Sequence, residues 1–596
     1  MHISRVQIRN FRNFKALDVS LTQNAVIVGE NRAGKSNFLY ALRLVLDPSL
    51  PEQARSLKVT DFWDGLDDPF ANGGASIEID IDFTEFESDP ALNVLLGDLR
   101  LAEDHTTARL SYRFRPDCEG DPKSEADFDY IIFGGDDETR SLPPKFRRRV
   151  VLEVMSALRD AESDLGSWRR SPLRPLIDHA FSEIDDTELV KISDAIGEAS
   201  SELLKLKNIS TLEDSLRKKL RDLAGQRHDI DAKFGIISNE PSRLYRVLKL
   251  YIDGGLREIS DASLGSANLA LLTLRLAEYE WRRAQNDQDF TIVAIEEPEA
   301  HLHPQLQRKV FRSLFAPGGT SHQSLFVTTH SPTIASVTPI DQLVIIKDQP
   351  DEGSKAHSLA ALNLTKEDRE DLQGYLDATR AELLFSRGVI FVEGPAEEVL
   401  LPGFAAAAGY NLDELGITIC SVDGVNFGPY VRMGELLSLP YSVITDWDPI
   451  AGKDPLGWAR TRELIVDIRR ARGLKELSKD QVSKLSSDEA FLRSGALKYG
   501  LFLNSATLET ELAKTPALAD AILAVLAEEP LFGKVLKKRI AEYQADHSKI
   551  SAERLMLMIG YVGKGRFARR LAERISLLAP PKYIADAVKH VVEKLA

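Results

Sequence analysis

The stretch Ala25-Val-Ile-Val-Gly-Glu-Asn-Arg-Ala-Gly-Lys-Ser36 joins a short apolar run to the spacing G-x-x-x-x-G-K-S. The run reads as a buried strand and residues 35–46 read as a helix. The glycine-bearing segment is therefore the strand-to-helix loop that a phosphate-binding motif requires. Backbone N–H groups of Asn31, Arg32, Ala33, Gly34 and Lys35 are expected to wrap a β-phosphate. The helix N-terminus adds its partial positive charge. Lys35 reaches the β- and γ-oxygens, Ser36 ligates Mg²⁺, and Asn37 follows in the first helical turn. The partners of this loop lie far downstream. Thr291–Ile295 is a second buried strand, and it ends in Glu296-Glu297-Pro298-Glu299. Carboxylates at the C-terminal end of a neighbouring parallel strand face the bound phosphates. Glu296 is expected to hold magnesium or its water, and Glu297 to polarise the attacking water. His330, after the apolar run 325–329, is placed to sense a γ-phosphate. The chemistry implied is binding and hydrolysis of a nucleotide.

Composition bounds the rest. With 596 residues, 43% of them hydrophobic, the chain can fill two to four domain cores. Its 75 basic and 91 acidic residues give a net charge of −16, which argues against a general polycation coating DNA. A local basic channel remains compatible with that balance. Two cysteines, Cys118 and Cys420, exclude a disulfide scaffold and a cysteine-rich zinc module. Residues 1–8 alternate like a strand and show no signal-peptide core. The most apolar stretch, 399–410, is broken by Pro402 and Gly403. A soluble cytoplasmic protein with no membrane partner is expected.

Along the chain, residues 3–8, 75–83 and 108–114 read as strands. From about 147 to 235, leucines recur at helical spacing among charges, at Leu203, Leu206, Leu212, Leu216 and Leu220. That texture fits a helical dimerisation element, or an amphipathic hairpin packed on its own domain. Strands return at 325–328 and 342–346, and 351–380 is polar enough for a linker with helices. His301 and His303 could ligate metal by spacing, or serve structurally in the loop after the acids.

A second set of acids follows. Val389–Val392 is an apolar strand ending in Glu393-Gly394, and Glu397 lies one helical turn on. Ser442–Thr445 leads into Asp446-Trp447-Asp448, where extended alternation puts both aspartates on one side. Carboxylates crowded at strand ends repel one another unless a cation neutralises them, and their oxygens suit Mg²⁺ or Mn²⁺. Glu393 fits a general base or a ligand. Basic clusters at Lys537-Lys538-Arg539 and at Arg566, Arg569, Arg570 and Arg574 fit a DNA backbone or a solvated face.

The first set of residues resembles an ABC-type ATPase head of the SMC-like and RecF-like branch. Residues 8–14, Ile-Arg-Asn-Phe-Arg-Asn-Phe, are typical of that branch. The resemblance implies that Arg12 reaches the phosphates. It also implies that a degenerate signature at 263–268, with Ser266 as the contact, touches the nucleotide on a second head. The Glu393 and Asp446-x-Asp448 pattern resembles a Toprim domain. An ABC head followed by Toprim is similar to the OLD (overcoming lysogenization defect) family of ATP-dependent endonucleases, with Gabija-type members as one branch. The fold class implied is α/β. The ATPase domain spans 1–146 and 239–350, interrupted by a helical dimerisation insertion at 147–238. A linker at 351–384 precedes a Toprim nuclease domain at 385–596 with helical additions. The resemblance adds Glu509, or Glu511 as its alternative, as a metal ligand, and Lys564 as the charge stabiliser at the scissile phosphate. A surface lysine in a turn is the other reading of Lys564. It further implies a homodimer or homotetramer, a DNA substrate, a role in anti-phage defence and, in the Gabija branch, a UvrD-like helicase partner. The same residues also fit an ATPase clamp that binds DNA or a partner without cutting, and an RNA-processing nuclease.

Overall fold

The structure is a computed structural model that describes residues 1–118, 120–140, 142, 146–156, 171–224, 250–252, 256–258, 263–285, 288–300, 302–316, 323–349, 351–362, 364–377 and 380–595. Its strands are β1 (His2–Phe11), β2 (Phe14–Ser20), β3 (Ala25–Gly29), β4 (Ile77–Thr84), β5 (Ala108–Pro116), β6 (Phe128–Gly134), β7 (Val150–Met155), β8 (Tyr251–Ile252), β9 (Arg257–Glu258), β10 (Phe290–Glu296), β11 (Gln323–Thr329), β12 (Leu343–Gln349), β13 (Gly353–Ser358), β14 (Gly388–Val392), β15 (Ile417–Ser421), β16 (Tyr441–Thr445) and β17 (Leu501–Leu503). They fall in two compact units. One holds Met1–Met155, Phe290–Glu299 and Pro304–Ala596, and the other Ser156–Asp289 and Ala300–His303.

In the first unit an antiparallel sheet runs β2-β1-β4-β5-β6. The alternation in β4 does what period-2 patterning dictates, because Ile77, Ile79, Ile81 and Phe83 are all fully buried. A second sheet runs β13-β12-β3-β11-β10-β7, parallel except for the β12–β13 pair. The helix Lys35–Leu46 belongs to the core shared by these sheets. Phe38, Leu39, Leu42, Val45 and Leu46 are fully buried, each worth roughly 1.5–3 kcal/mol. The order of the second sheet sets the first site. β3 lies between β12 and β11, so the phosphate loop leaves the middle of the sheet. The carboxyl ends of β10 and β11 lie beside it.

Two boundaries need correction. Val150–Met155, inside the stretch 147–238 read as helical, is the edge strand β7, paired in parallel with β10. Its sequence, Val-Val-Leu-Glu-Val-Met, is an apolar run with β-branched residues, overshadowed in the reading by the charged helices that follow. Gly353–Ser358, inside the expected linker, is β13, antiparallel to β12. Its polar sequence carries no hydrophobic signal, and pairing alone specifies it. Gly353 has φ +73°, and an added Cβ would lie 2.7 Å from the Asn13 carbonyl oxygen. Gly353→Ala should therefore destabilise the protein by about 2–4 kcal/mol, from left-handed strain plus overpacking. Chemical denaturation checks this, and an unchanged midpoint would count against the turn.

The third sheet, β15-β14-β16-β17, is wholly parallel. Helices Pro395–Ala407, Pro516–Ala527, Ala552–Val562, Lys564–Ile575 and Lys582–Leu595 supply most of its apolar cover. The two halves of this unit touch at Lys347, whose buried Nζ donates to the Ser386 carbonyl at 2.6 Å.

The second unit contains the helices Leu173–Ser182, Asp186–Leu204, Lys207–Ala224 and Leu264–Ala284 and the β8–β9 ribbon. Val190, Ile192, Ile196, Leu206, Leu212 and Leu216 are exposed on it. The side chains of Leu203 and Leu220, and residues 225–238, lie outside what is described.

Candidate active sites

At the phosphate loop, Lys35 is buried and its Nζ donates to the carbonyls of Gly29 (2.9 Å) and Glu30 (3.0 Å). Burial pushes its pKa down to about 8, opposed by Glu297, Glu299 and Glu30. Gly34 precedes it with φ +105°, and a Cβ there would meet the Asn13 side chain at 2.2 Å. Asn13 Nδ2 donates to the Ala33 carbonyl at 2.8 Å and accepts from Asn37 at 2.8 Å through Oδ1. Arg12 donates from Nη1 to Asn37 Oδ1 (2.8 Å) and from Nε to Asp61 (2.9 Å), and stacks 4.6 Å over the Tyr40 ring. Arg12 is thus fastened at the loop, through the first turn of its helix.

Glu296 ends β10 and is half-buried. Glu297 follows with φ +43°, and its backbone N–H donates to the Thr328 carbonyl at 2.9 Å. Its Oε1 lies 3.4 Å from His330 Nε2, while His330 Nδ1 lies 3.4 Å from Lys35 Nζ. Three of the expected residues, far apart in sequence, therefore meet in one line of contacts. Burial, then the Lys35 charge, holds His330 below its usual range. Ser266, in the second unit, faces Ser263 with their Oγ atoms 3.0 Å apart near the start of Leu264–Ala284. His303 is exposed, and His301 lies outside the described residues.

The second site forms at the carboxyl ends of β14, β16 and β17. Glu393 Oε1 accepts from the Asp446 backbone N–H at 2.8 Å and from Thr445 Oγ1 at 2.5 Å. Asp446 Oδ1 accepts from Asn504 Nδ2, also at 2.5 Å. The strand ends at Thr445, and Asp448 turns with φ +50°, so the two aspartates do not continue the extended alternation. Arg460 joins Glu393 to Asp448 instead. Its Nη1 donates to Glu393, and its Nη2 donates to Asp448 Oδ2 at 3.0 Å. Glu397, 8% exposed, is pushed up to about 7 by burial and by Glu393 and Glu509, with Lys564 opposing. Asp446 is pushed up to about 8 by burial, then by Glu393, Glu397 and Asp448, while Asn504 pulls it down.

Glu509 is buried, with Oε1 3.5 Å from the Nζ of the largely exposed Lys564. Glu511 is engaged elsewhere. Burial would raise it, but Ser505 and Lys514 hold it below its usual range. It accepts from Ser505 Oγ (2.5 Å) and Lys514 Nζ (2.9 Å). Among the described residues, no three acidic, histidine or cysteine side chains are gathered closely enough to form a ready metal cage. The donor set nonetheless fits a hard cation. It is all carboxylate oxygen, half-buried or buried, and the neighbouring carboxylates help to raise Glu397 and Asp446. Of the basic clusters, Arg570 and Arg574 are paired with Glu529 (2.8 Å) and Glu528 (2.6 Å), so half of that patch is neutralised. Lys537 and Lys538 are exposed on Lys534–Ala545.

Comparison with known proteins fits both sites. Residues 25–336 match the family described as "AAA domain, putative AbiEii toxin, Type IV TA system". Residues 384–448 match the Toprim domain of overcoming lysogenization defect protein-like chains. The OLD nuclease of Thermus scotoductus (strain ATCC 700910 / SA-01) is 25% identical over 477 residues, 75% of this chain and 82% of that protein. Endonuclease GajA of Bacillus cereus (strain VD045) is 22% identical over 463 residues, 75% of each chain. The solved C-terminal region of the Burkholderia pseudomallei OLD protein is 34% identical, with a TM-score of 0.31. It covers 36% of this chain and is itself covered completely. The chain belongs to the OLD family.

In this OLD-family chain, four residues at the sites carry no role that the sequence alone assigns. Asn13 lies in the Ile8–Phe14 stretch, and only the fold shows that it ties Ala33 to Asn37. Glu299 accepts from the His330 backbone N–H (2.6 Å) and Thr329 Oγ1 (2.9 Å), seating the histidine. The sequence signal is its place in Glu-Glu-Pro-Glu, at the end of β10. Asn504 directly follows β17, so the strand-end rule that found Glu393 could have found it. Arg460 sits mid-helix and had no signal.

Proposed function

We propose that the chain is an ATP-regulated endonuclease that cuts DNA with Mg²⁺ or Mn²⁺ and serves in defence against phage. The observation that supports this most is the meeting of Glu393 and Asp446 across β14 and β16, with Glu397, Asp448 and Glu509 around them. Glu393, Glu397, Asp446, Asp448 and Glu509 would hold the divalent ions, and Glu511 stays with Ser505 and Lys514. Bound cations of this kind activate water for attack on phosphorus and neutralise charge on the leaving oxygen. Lys564, exposed at the edge of the acids, would exchange Glu509 for the scissile phosphate and stabilise its developing charge.

On the nucleotide side, the N–H groups of Asn31, Arg32, Ala33, Gly34 and Lys35 would hold the β-phosphate of ATP. Lys35 would trade the Gly29 and Glu30 carbonyls for phosphate oxygens. Ser36 and Glu296 would hold the nucleotide's magnesium, and Glu297 would orient water under the control of His330. Arg12 and Asn37 steady the loop and reach the phosphates. The exposed apolar residues from Val190 to Leu216 favour a homodimer or homotetramer, in which Ser266 would contact the nucleotide of a second subunit. No helix among the described residues is long and apolar enough to cross a membrane, and we place the protein in the cytoplasm. A UvrD-like helicase encoded beside it would make it a Gabija-type subunit.

A supercoiled plasmid tests the reading. With Mg²⁺ or Mn²⁺ the wild type should give nicked and then linear DNA, with ATP changing the rate. Plasmid left intact across metals and nucleotides rejects the DNA endonuclease. Cleavage of RNA alone would favour RNA processing, and DNA binding without cleavage would favour a clamp.

A further inference from the structure

Arg460 was found by the fold and not by any motif, and its surroundings are specific. It lies in the helix Leu456–Ala471, whose first turn is clamped on the Asp446–Asp448 turn. Leu456 N–H donates to the Asp448 carbonyl (3.1 Å), and Gly457 N–H to the Trp447 carbonyl (3.0 Å). A Cβ on Gly457 would lie 2.6 Å from the Asp446 carbonyl oxygen, so the helix start and the acid turn are in direct backbone contact. Arg460 follows one turn on, with its side chain only 10% exposed. Nη1 donates to Glu393 Oε1, to Thr445 Oγ1 (2.5 Å) and to the Asp446 carbonyl (3.3 Å), and Nη2 donates to Asp448 Oδ2 (3.0 Å).

The guanidinium therefore bridges two of the five acids. Its fork geometry suits two oxygens. It touches no side-chain oxygen of the other three. Asp446 rests on Asn504, Glu509 pairs at 3.5 Å with the exposed Lys564, and no ion pair reaches Glu397 among the described residues. The acids are thus divided between a pair bridged by a buried guanidinium and a trio that meets a cation through the exposed Lys564 at Glu509.

We propose that Arg460 is a positioning residue that serves as the resident cation of the Glu393–Asp448 pair, so that the trio Asp446, Glu397 and Glu509 takes the first divalent ion and a second enters only by displacing the guanidinium. This rests on the metal-dependent reading above. It makes the site asymmetric before any DNA arrives. A single ion is held at rest, and the second depends on a competitor that a bound phosphate can draw away, because a guanidinium binds phosphate as well as carboxylate.

Mn²⁺ titration of the full-length protein, read by the paramagnetic signal of free ion, tests this without any turnover. The wild type should show two classes of site separated by at least about tenfold. Arg460→Gln should tighten the weaker class by about tenfold or more and move the tighter class by less than about threefold. Arg460→Lys keeps the charge but loses the fork, and should narrow the gap by about threefold. It carries the test if the glutamine variant does not fold. An isotherm unchanged in both variants, or both classes weakened, overturns the proposal while leaving the metal reading intact. No Mn²⁺ bound by the wild type rejects the metal reading and this inference together.

Discussion

Lys35→Ala should lower ATP turnover by about 10²–10³-fold, the scale of loss when one preorganised donor to developing negative charge is removed. The geometry explains why the loss should be this large. Lys35 is the cation held within the loop, on the Gly29 and Glu30 carbonyls, with the carboxylates of Glu297 and Glu299 attracting it. It is also linked through His330 to Glu297, the acid placed to orient water. Removing it takes away the charge on the β- and γ-oxygens and loosens the histidine contact that carries the state of the nucleotide to Glu297. The fold should survive, because burial already disfavours this charge and the helix Lys35–Leu46 is anchored by its apolar residues. Phosphate release measures the effect, and the midpoint of thermal unfolding should stay near that of the wild type. Turnover unchanged in the variant would remove the loop from the chemistry.

The legibility of the chain follows its physics. β3, β10, β11, β14 and β16 were readable because strands buried on both faces are short apolar runs, and their carboxyl ends are where α/β sheets keep chemistry. That one rule reaches Glu297, Glu393 and Asp446, while Lys35 is read from its glycine-loop spacing. β13 was not readable, because Gly-Ser-Lys-Ala-His-Ser has neither apolar content nor alternation, and only β12 gives it a place. Asp448 shows a subtler limit. Asp-x-Asp was correctly close in space to Glu393, but alternation was the wrong reason, since the chain leaves the strand at Thr445 and turns. Arg460 and Asn13 mark the remainder. Each acts through partners distant in sequence, Arg460 on Glu393 and Asn13 on Ser354, and local sequence carries no information on such partners.

Asp446→Asn should reduce DNA cleavage by about 10³-fold or more while leaving the metal-free protein at least as stable as the wild type. The two halves of this expectation come from the same cause. Asp446 is pushed up to about 8 by burial and by Glu393, Glu397 and Asp448, so without a cation its charge is costly. Asparagine keeps the shape and can meet Asn504 by turning its amide, yet it brings no charge to an ion. The trade of stability for function is the signature expected of a ligand, whereas a purely structural aspartate would lose stability when neutralised. Thermal unfolding with and without Mn²⁺ separates these cases. The wild type should gain about 2.7 kcal/mol at an ion concentration a hundredfold above its dissociation constant, and the variant should gain far less. Cleavage by Asp446→Asn at the wild-type rate, or an undiminished gain with Mn²⁺, would show that the acids at β14 and β16 do not form the cutting site. Loss of cleavage with loss of the Mn²⁺ gain, in a protein that still binds DNA and hydrolyses ATP, would tie cutting to this cluster and separate it from the nucleotide site.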